Sequence, residues 1–144
     1  MKYRKIGDTY YIRIDKNEKV VESILDVCEK EKIYGGHIQG IGACSAVTIS
    51  TYIKEKNDFI DHNIFGTIEI ISLMGNISMD NNGKAFLHCH GSFSYLNDKG
   101  EVTVTAGHLK EAQIGYTGEI ILVPAGEKIG RIFNSDAGIE IWDL

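Results

Sequence analysis

Proline is almost missing from this chain: among 144 residues there is only one, Pro124. Proline breaks helices and removes a donor from strand ladders, so its scarcity excludes Pro-rich linkers and leaves long strands uninterrupted. Arginine is scarce as well, at Arg4, Arg13 and Arg131, and 15 basic against 20 acidic side chains give a formal charge of −5. Neutralising phosphates takes clustered Lys and Arg, and the one such cluster is the short Lys2, Arg4, Lys5 group. Direct DNA binding by the isolated chain is therefore not expected. The cysteines Cys28, Cys44 and Cys89 are odd in number and far apart, which excludes a disulfide framework and predicts reduced, buried thiols. No apolar run approaches the ~20 residues that cross a bilayer. The start, Met1-Lys2-Tyr3-Arg4-Lys5, leads into none either, so no secretory signal, no membrane partner and a cytoplasmic location are expected.

What is present is globular: 43% hydrophobic and 24% charged residues, at a length that buries a core without covalent staples. One stretch has helical periodicity, from about residue 18 to 33. Val20, Val21, Ile24, Leu25, Val27 and Cys28 form its apolar stripe. Asp15 and Glu18 have capping-box spacing, with Asn17 as an alternative cap, and Gly35-Gly36 supplies a stop. Nearly everything else alternates as strand: 10–14, 37–41, 46–53, 67–73, 85–96, 101–109, 112–123 and 139–142. Turn signals separate the strands, among them Asn97-Asp98-Lys99-Gly100. With no second helix to act as a crossover, the sheet must be mostly antiparallel. The expected fold is α+β, a single domain over residues 1–144 in which a curved antiparallel sheet packs on one main helix.

The most informative run is Phe86-Leu87-His88-Cys89-His90-Gly91. Residues two apart on a strand share a face, so His88 and His90 project together and Cys89 points away. A third imidazole, His108, follows one hairpin later in Ala106-Gly107-His108-Leu109. Three histidines with an open position suit zinc or a similar transition ion, while the alternative is a set of polar residues on a half-exposed face. Register separates the two. A simple four-residue turn at 97–100 pairs Cys89 with His108 and sets Val102 and Val104 beside Tyr95 and Phe93, leaving His108 on the wrong side. A bulge at Ala106-Gly107, or a five-residue loop, brings it into line.

Other residues carry less. Glu69, an acid inside an apolar strand, is a candidate general base or a salt-bridged edge residue. His37 and His62 stand alone and read as surface or hydrogen-bonded. Gly40-x-Gly42 is not followed by a helix, so no nucleotide cofactor is expected and the glycines read as a kink. Cys44 and Cys89 read as structural.

Four segments together carry a resemblance. Ile38-Gln39-Gly40-Ile41-Gly42-Ala43-Cys44-Ser45-Ala46-Val47-Thr48, then Glu69-Ile70-Ile71-Ser72-Leu73-Met74-Gly75-Asn76-Ile77-Ser78, then Phe86-Leu87-His88-Cys89-His90 and Ala106-Gly107-His108-Leu109 resemble the plant and prokaryote conserved (PPC) domain, in order and over about Arg13 to Leu144. Ala106 departs from that pattern, which has glycine there. The resemblance implies an antiparallel sheet with a flanking helix, a homotrimer, and a metal site at His88, His90 and His108. In plants the domain accompanies AT-hook segments and binds other nuclear proteins, whereas this sequence contains no Arg-Gly-Arg. Two functions follow as expectations. One is a homotrimeric assembly and binding module that engages a partner protein and carries the three-histidine site. The other is a small metal-dependent enzyme using the same histidines.

Overall fold

Alternation of apolar and polar residues dictates extended chain over most of the molecule. Between Thr9 and Asp15, for example, Tyr10, Ile12 and Ile14 are buried while Tyr11 and Arg13 face outward, the two-residue period of a strand with one wet face. The structure, a computed structural model, describes residues 1–56 and 58–144. Its elements in chain order are β1 (Lys2–Ile6), β2 (Thr9–Asp15), α1 (Val20–Glu31), β3 (Gly36–Ile53), β4 (Asp58–Met79), β5 (Ala85–Leu96), β6 (Val102–Pro124), β7 (Gly130–Asn134) and β8 (Ile139–Asp143), with a 3₁₀ turn at Lys54–Lys56.

The first six strands form one antiparallel sheet in the order β1-β2-β6-β3-β4-β5, and the sheet curls until β5 also pairs with β6. β3, β4, β5 and β6 therefore close into a ring, with β1 and β2 as an extension from β6. Strands β7 and β8 make a separate hairpin. It is fastened by Arg131, whose guanidinium stacks on Phe86 and donates to the Glu140 carbonyl at 2.6 Å.

The α+β expectation holds, and the strands are longer than their sequence signals. The glycine-rich bend at 40–45 does not break β3, which runs through it with register shifts between Gly40 and Gly42 and between Cys44 and Ala46. The kink reading is borne out at Gly42, where a Cβ would lie 2.4 Å from the Thr117 carbonyl oxygen of β6. Likewise 101–109 and 112–123 fuse into the single strand β6.

The helix starts at Val20 rather than 18, with Lys19 as its cap and no side-chain capping bond. Asp15 and Glu18 do meet: the Asp15 N–H donates to the Glu18 carboxylate at 2.8 Å and the Glu18 N–H to the Asp15 carbonyl at 3.1 Å. That pair closes a turn ahead of the helix. The helix stops at Lys32, which adopts the left-handed conformation (φ 57°) while Ile33 N–H donates to the Cys28 carbonyl at 2.8 Å. The termination signal thus sits before Gly35-Gly36. Val20, Ile24, Val27 and Cys28 are fully buried in one continuous core with Cys44, Ile68, Leu73, Cys89, Phe93, Ile114 and Leu122. Each large apolar side chain so buried contributes on the order of 1.5–3 kcal/mol before entropy is counted. Among the described residues, no helix is long and apolar enough to cross a membrane.

Candidate metal centre

Strand β5 has an apolar side and a histidine side. Leu87, Cys89, Gly91 and Phe93 face the core, so Phe86, His88 and His90 are turned outward. Whether His108 joins them depends on the β5–β6 connection. There the Gly100 N–H donates to the Asn97 carbonyl at 2.9 Å, and Gly100 takes a left-handed φ of 75°. The Asn97 side-chain oxygen accepts from the Lys99 and Glu101 N–H groups, both at 3.0 Å. A tight turn followed by a left-handed glycine inserts one extra residue. The strands then pair Leu96 with Val102 across a five-residue loop, and His90 lies directly opposite His108.

Of the two routes to convergence, the five-residue loop is the one taken. The β5–β6 ladder passes Ala106 and Gly107 without a shift, so no bulge forms there. The simple four-residue register is overturned, and with it the apolar face it implied. Thr103 and Thr105 stand opposite Tyr95 and Phe93, while Val102 and Val104 are exposed at 74% and 62%.

The three rings meet with centroids 5.2, 5.2 and 5.3 Å apart, and each offers a nitrogen within 4.8 Å of the others. His88 Nε2 and His90 Nε2 are 3.2 Å apart, one ring donating to the other according to tautomer. That separation also matches the edge of a tetrahedral zinc site, roughly 3.3 Å for Zn–N bonds of about 2.0–2.1 Å. Burial holds the His88 imidazole below its ordinary pKa, helped by the charges of His108, His90 and Arg131. His108 is lowered by burial and then by His90. Both effects favour neutral rings with free lone pairs at neutral pH, the form that binds a metal. Three imidazole nitrogens converging on one point are a donor set that could hold a transition-metal ion.

The cluster has two unlike flanks. Beside His108 a recess of about 330 Å³ is lined by Ser50, Asp58, Phe59, Asp61 and Lys110. Asp61 accepts from Ser50 Oγ at 2.7 Å and from Lys110 Nζ at 2.5 Å, and these partners hold its carboxyl below the usual range. On the other flank a groove of about 420 Å³ leads from His88 and His90 to His37, Gln39, Met74 and Asn76.

Glu69 is not brought to the histidines. It is exposed opposite Ala43 and Ser94, five residues along β4 from Met74, which faces His90, a separation of about 16 Å along the strand. The acids beside the cluster are Asp58 and Asp61, which sequence reasoning missed because they start a long strand far from the histidine motifs. The pairing of Ser50 with both Asp61 and His108 is what joins them. His62 is hydrogen-bonded, 3.2 Å from Thr51 Oγ1. All three cysteines are free and buried, and burial pushes each thiol up to about 12, far from the thiolate a nucleophile or ligand needs.

Solved structures share this architecture. A plant- and prokaryote-conserved (PPC) protein of Pyrococcus horikoshii matches with TM-score 0.81 at 32% identity, over 99% of this chain and 95% of its own. A metal-containing protein of Archaeoglobus fulgidus matches with TM-score 0.82 at 29% identity, over 100% and 99%. A protein of Bacteroides thetaiotaomicron, described as a candidate DNA-binding protein, matches with TM-score 0.89 at 30% identity, over 99% and 96%. No curated protein matches significantly. The sequence pattern of the Plants and Prokaryotes Conserved (PCC) domain matches residues 1–125, so the chain belongs to that family.

Proposed function

We propose that residues 1–144 act as one unit, a homotrimeric binding module in the cytoplasm that carries zinc or a similar transition ion on His88, His90 and His108. The convergence of three imidazoles on one point carries this reading. It is supported by the lowered His88 and His108 and by the metal-containing relative from Archaeoglobus. Self-association is supported by an outer face where Tyr11, Ile41 and Ile71 are 46%, 57% and 48% exposed, around a hollow of about 700 Å³. Uncovered apolar surface of this kind calls for a partner, and further copies of the chain would cover it while shielding strand edges. The module would present its remaining surface to another protein.

Direct DNA contact is not part of the proposal, although one relative is described as a candidate DNA-binding protein. Of the three arginines, Arg13 is paired with Asp15 and Arg131 is buried beside Glu140, which leaves little for phosphates.

The test is metal analysis of protein purified without a histidine tag, together with light scattering of the eluted species. About one ion per chain is expected, lost in His90→Ala with the fold intact by circular dichroism, and three chains per particle. Metal content unchanged by His90→Ala, or a monomeric particle, would sink the corresponding half of the reading. A second reading, a small metal-dependent enzyme, is favoured by Asp58 and Asp61 beside His108. The ion would activate water or polarise a carbonyl, and Asp61 or Asp58 would take the proton. Turnover abolished in Asp61→Asn with metal content preserved would single it out.

A further inference from the structure

The groove beside His88 and His90 is built as a grid. On the outer face of three adjacent strands, β3, β4 and β5, one cross-strand row reads His37, Asn76, His88 and the next reads Gln39, Met74, His90. Directly opposed side chains on one face stand about 4.5–5.5 Å apart, so the rows carry polar groups away from the histidine cluster in steps of one strand spacing. His37, taken alone in the sequence, is therefore two strands from His88 and in line with it.

The chemistry of the grid is one-sided. The groove lining offers two carboxamides, three imidazoles and a thioether, and no carboxylate. A divalent ion held by three neutral imidazoles keeps its full double charge. Arg131 adds a cation over Phe86, two residues from His88 on the same face, although Glu140 lies 3.8 Å from it and offsets part of that charge. The opposite flank carries two carboxylates, Asp58 and Asp61, against the single cation of Lys110, which is paired to Asp61, so its balance is acidic and less favourable to anions. A negative ligand is thus drawn to the groove side of the ion, where amide and imidazole groups wait for hydrogen bonds.

Resting on the metal reading above, we propose that this groove binds a small organic carboxylate. Its carboxylate lies toward the ion at His88 and His90. A hydrogen-bonding group roughly 5–10 Å away, one or two strand spacings, reaches Asn76 and His37. Met74 packs against the carbon chain between them, and Gln39 flanks it in the same row.

Cobalt-loaded protein provides the test, because its visible bands report on ligands entering the coordination sphere without any need for turnover. Acetate, glutaramate, neutral glutaramide and inorganic phosphate are the probes. Acetate and glutaramate should shift the bands and glutaramide should not, with glutaramate binding about ten-fold tighter than acetate, the effect of a good hydrogen bond. That gain should vanish in His37→Ala and Asn76→Ala, both surface positions, while acetate and cobalt affinity stay as in the parent. Equal binding of acetate and glutaramate, a gain that survives both substitutions, or phosphate outcompeting the carboxylates would overturn the groove proposal and leave the metal reading standing. Failure to bind stoichiometric cobalt at all would bring down both.

Discussion

The wall of the strand ring separates two sets of three potential metal ligands, and they fare in opposite ways. Cys28, Cys44 and Cys89 lie inside, with Cys89 only 1% exposed. His88, His90 and His108 lie outside and converge, although His88 and His90 flank Cys89 in sequence. Burial acts on both sets by penalising the charged form, yet the consequences are reversed. It pushes the thiols up to about 12, which removes the thiolate that would bind a metal. It lowers His88 and His108, which preserves the neutral imidazole that would bind one. Desolvation is the largest influence favouring nitrogen over sulfur, and on β5 strand alternation keeps Cys89 and the histidines on opposite faces.

The most severe way to break this contrast is to move His108 to the inner face. If the connection keeps its five-residue geometry when Lys99 is deleted, Val102 is drawn into the loop and Leu96 pairs with Thr103 instead, a one-residue slip that turns every β6 side chain in the pairing to the other side. His108 would then leave the cluster, and polar Thr103 and Thr105 would trade places with Val102 and Val104. Metal binding should disappear and unfolding free energy should fall by several kcal/mol, as for any change that mispairs a core strand. Gly100→Val is the control. It strains a left-handed position at a cost of about 1–3 kcal/mol and should lower the melting temperature while metal content persists. Full metal occupancy in the deletion variant would mean that the turn does not set the register.

A second contrast lies in reactivity. The rise of each thiol from 9.0 to about 12 cuts its thiolate fraction by about a thousand-fold near pH 8. Iodoacetamide at that pH should leave Cys28, Cys44 and Cys89 unmodified by mass spectrometry for as long as the chain stays folded, and label all three in urea. The sign for stability follows. A raised folded pKa gives stabilisation that is complete below the unfolded value near 9 and is lost as pH climbs toward 12. An alkaline decline should therefore set in above pH 9 and shrink in Cys→Ala variants. Rapid labelling of Cys89 in the native state would show that the wall is open.

Much of this contrast is legible in the sequence because it depends on local alternation. His-x-His with a cysteine between already assigns opposite faces, and the helix follows from a stripe that includes Val20, Ile24, Val27 and Cys28. The rest depends on facts that alternation does not contain. Gly100 is a turn residue in either register, and only its left-handed backbone adds the residue that aligns His108. Ring closure joins Ser50 to Asp61 on one side and to His108 on the other, which no local pattern announces. For the same reason Glu69, an acid in the right kind of strand, was a reasonable candidate that lies too far along β4. His37 had no visible partner until β3, β4 and β5 were in register. β1 and β7 carry no clear strand signal, since their outward residues are polar or apolar without strict alternation.

The gentlest test of the contrast is acid, applied to the metal-free protein. His88 and His108 have folded values below the ordinary 6.5, so between those values and 6.5 the unfolded chain binds more protons than the native one. Stability is then complete above pH 6.5, falls as pH drops through the lowered folded values, and levels off below them. The loss should be modest because both rings are partly solvated, which screens their interactions. Urea unfolding at pH 7.5, 6.5 and 5.5 measures it, with a His88→Gln/His108→Gln double variant as the reference. The parent should lose more stability across this range than the variant, while the thiols, protonated throughout, contribute nothing. Equal losses would show that the acid limb arises elsewhere, and the opposition between wet imidazoles and dry thiols would then rest on the alkaline limb alone.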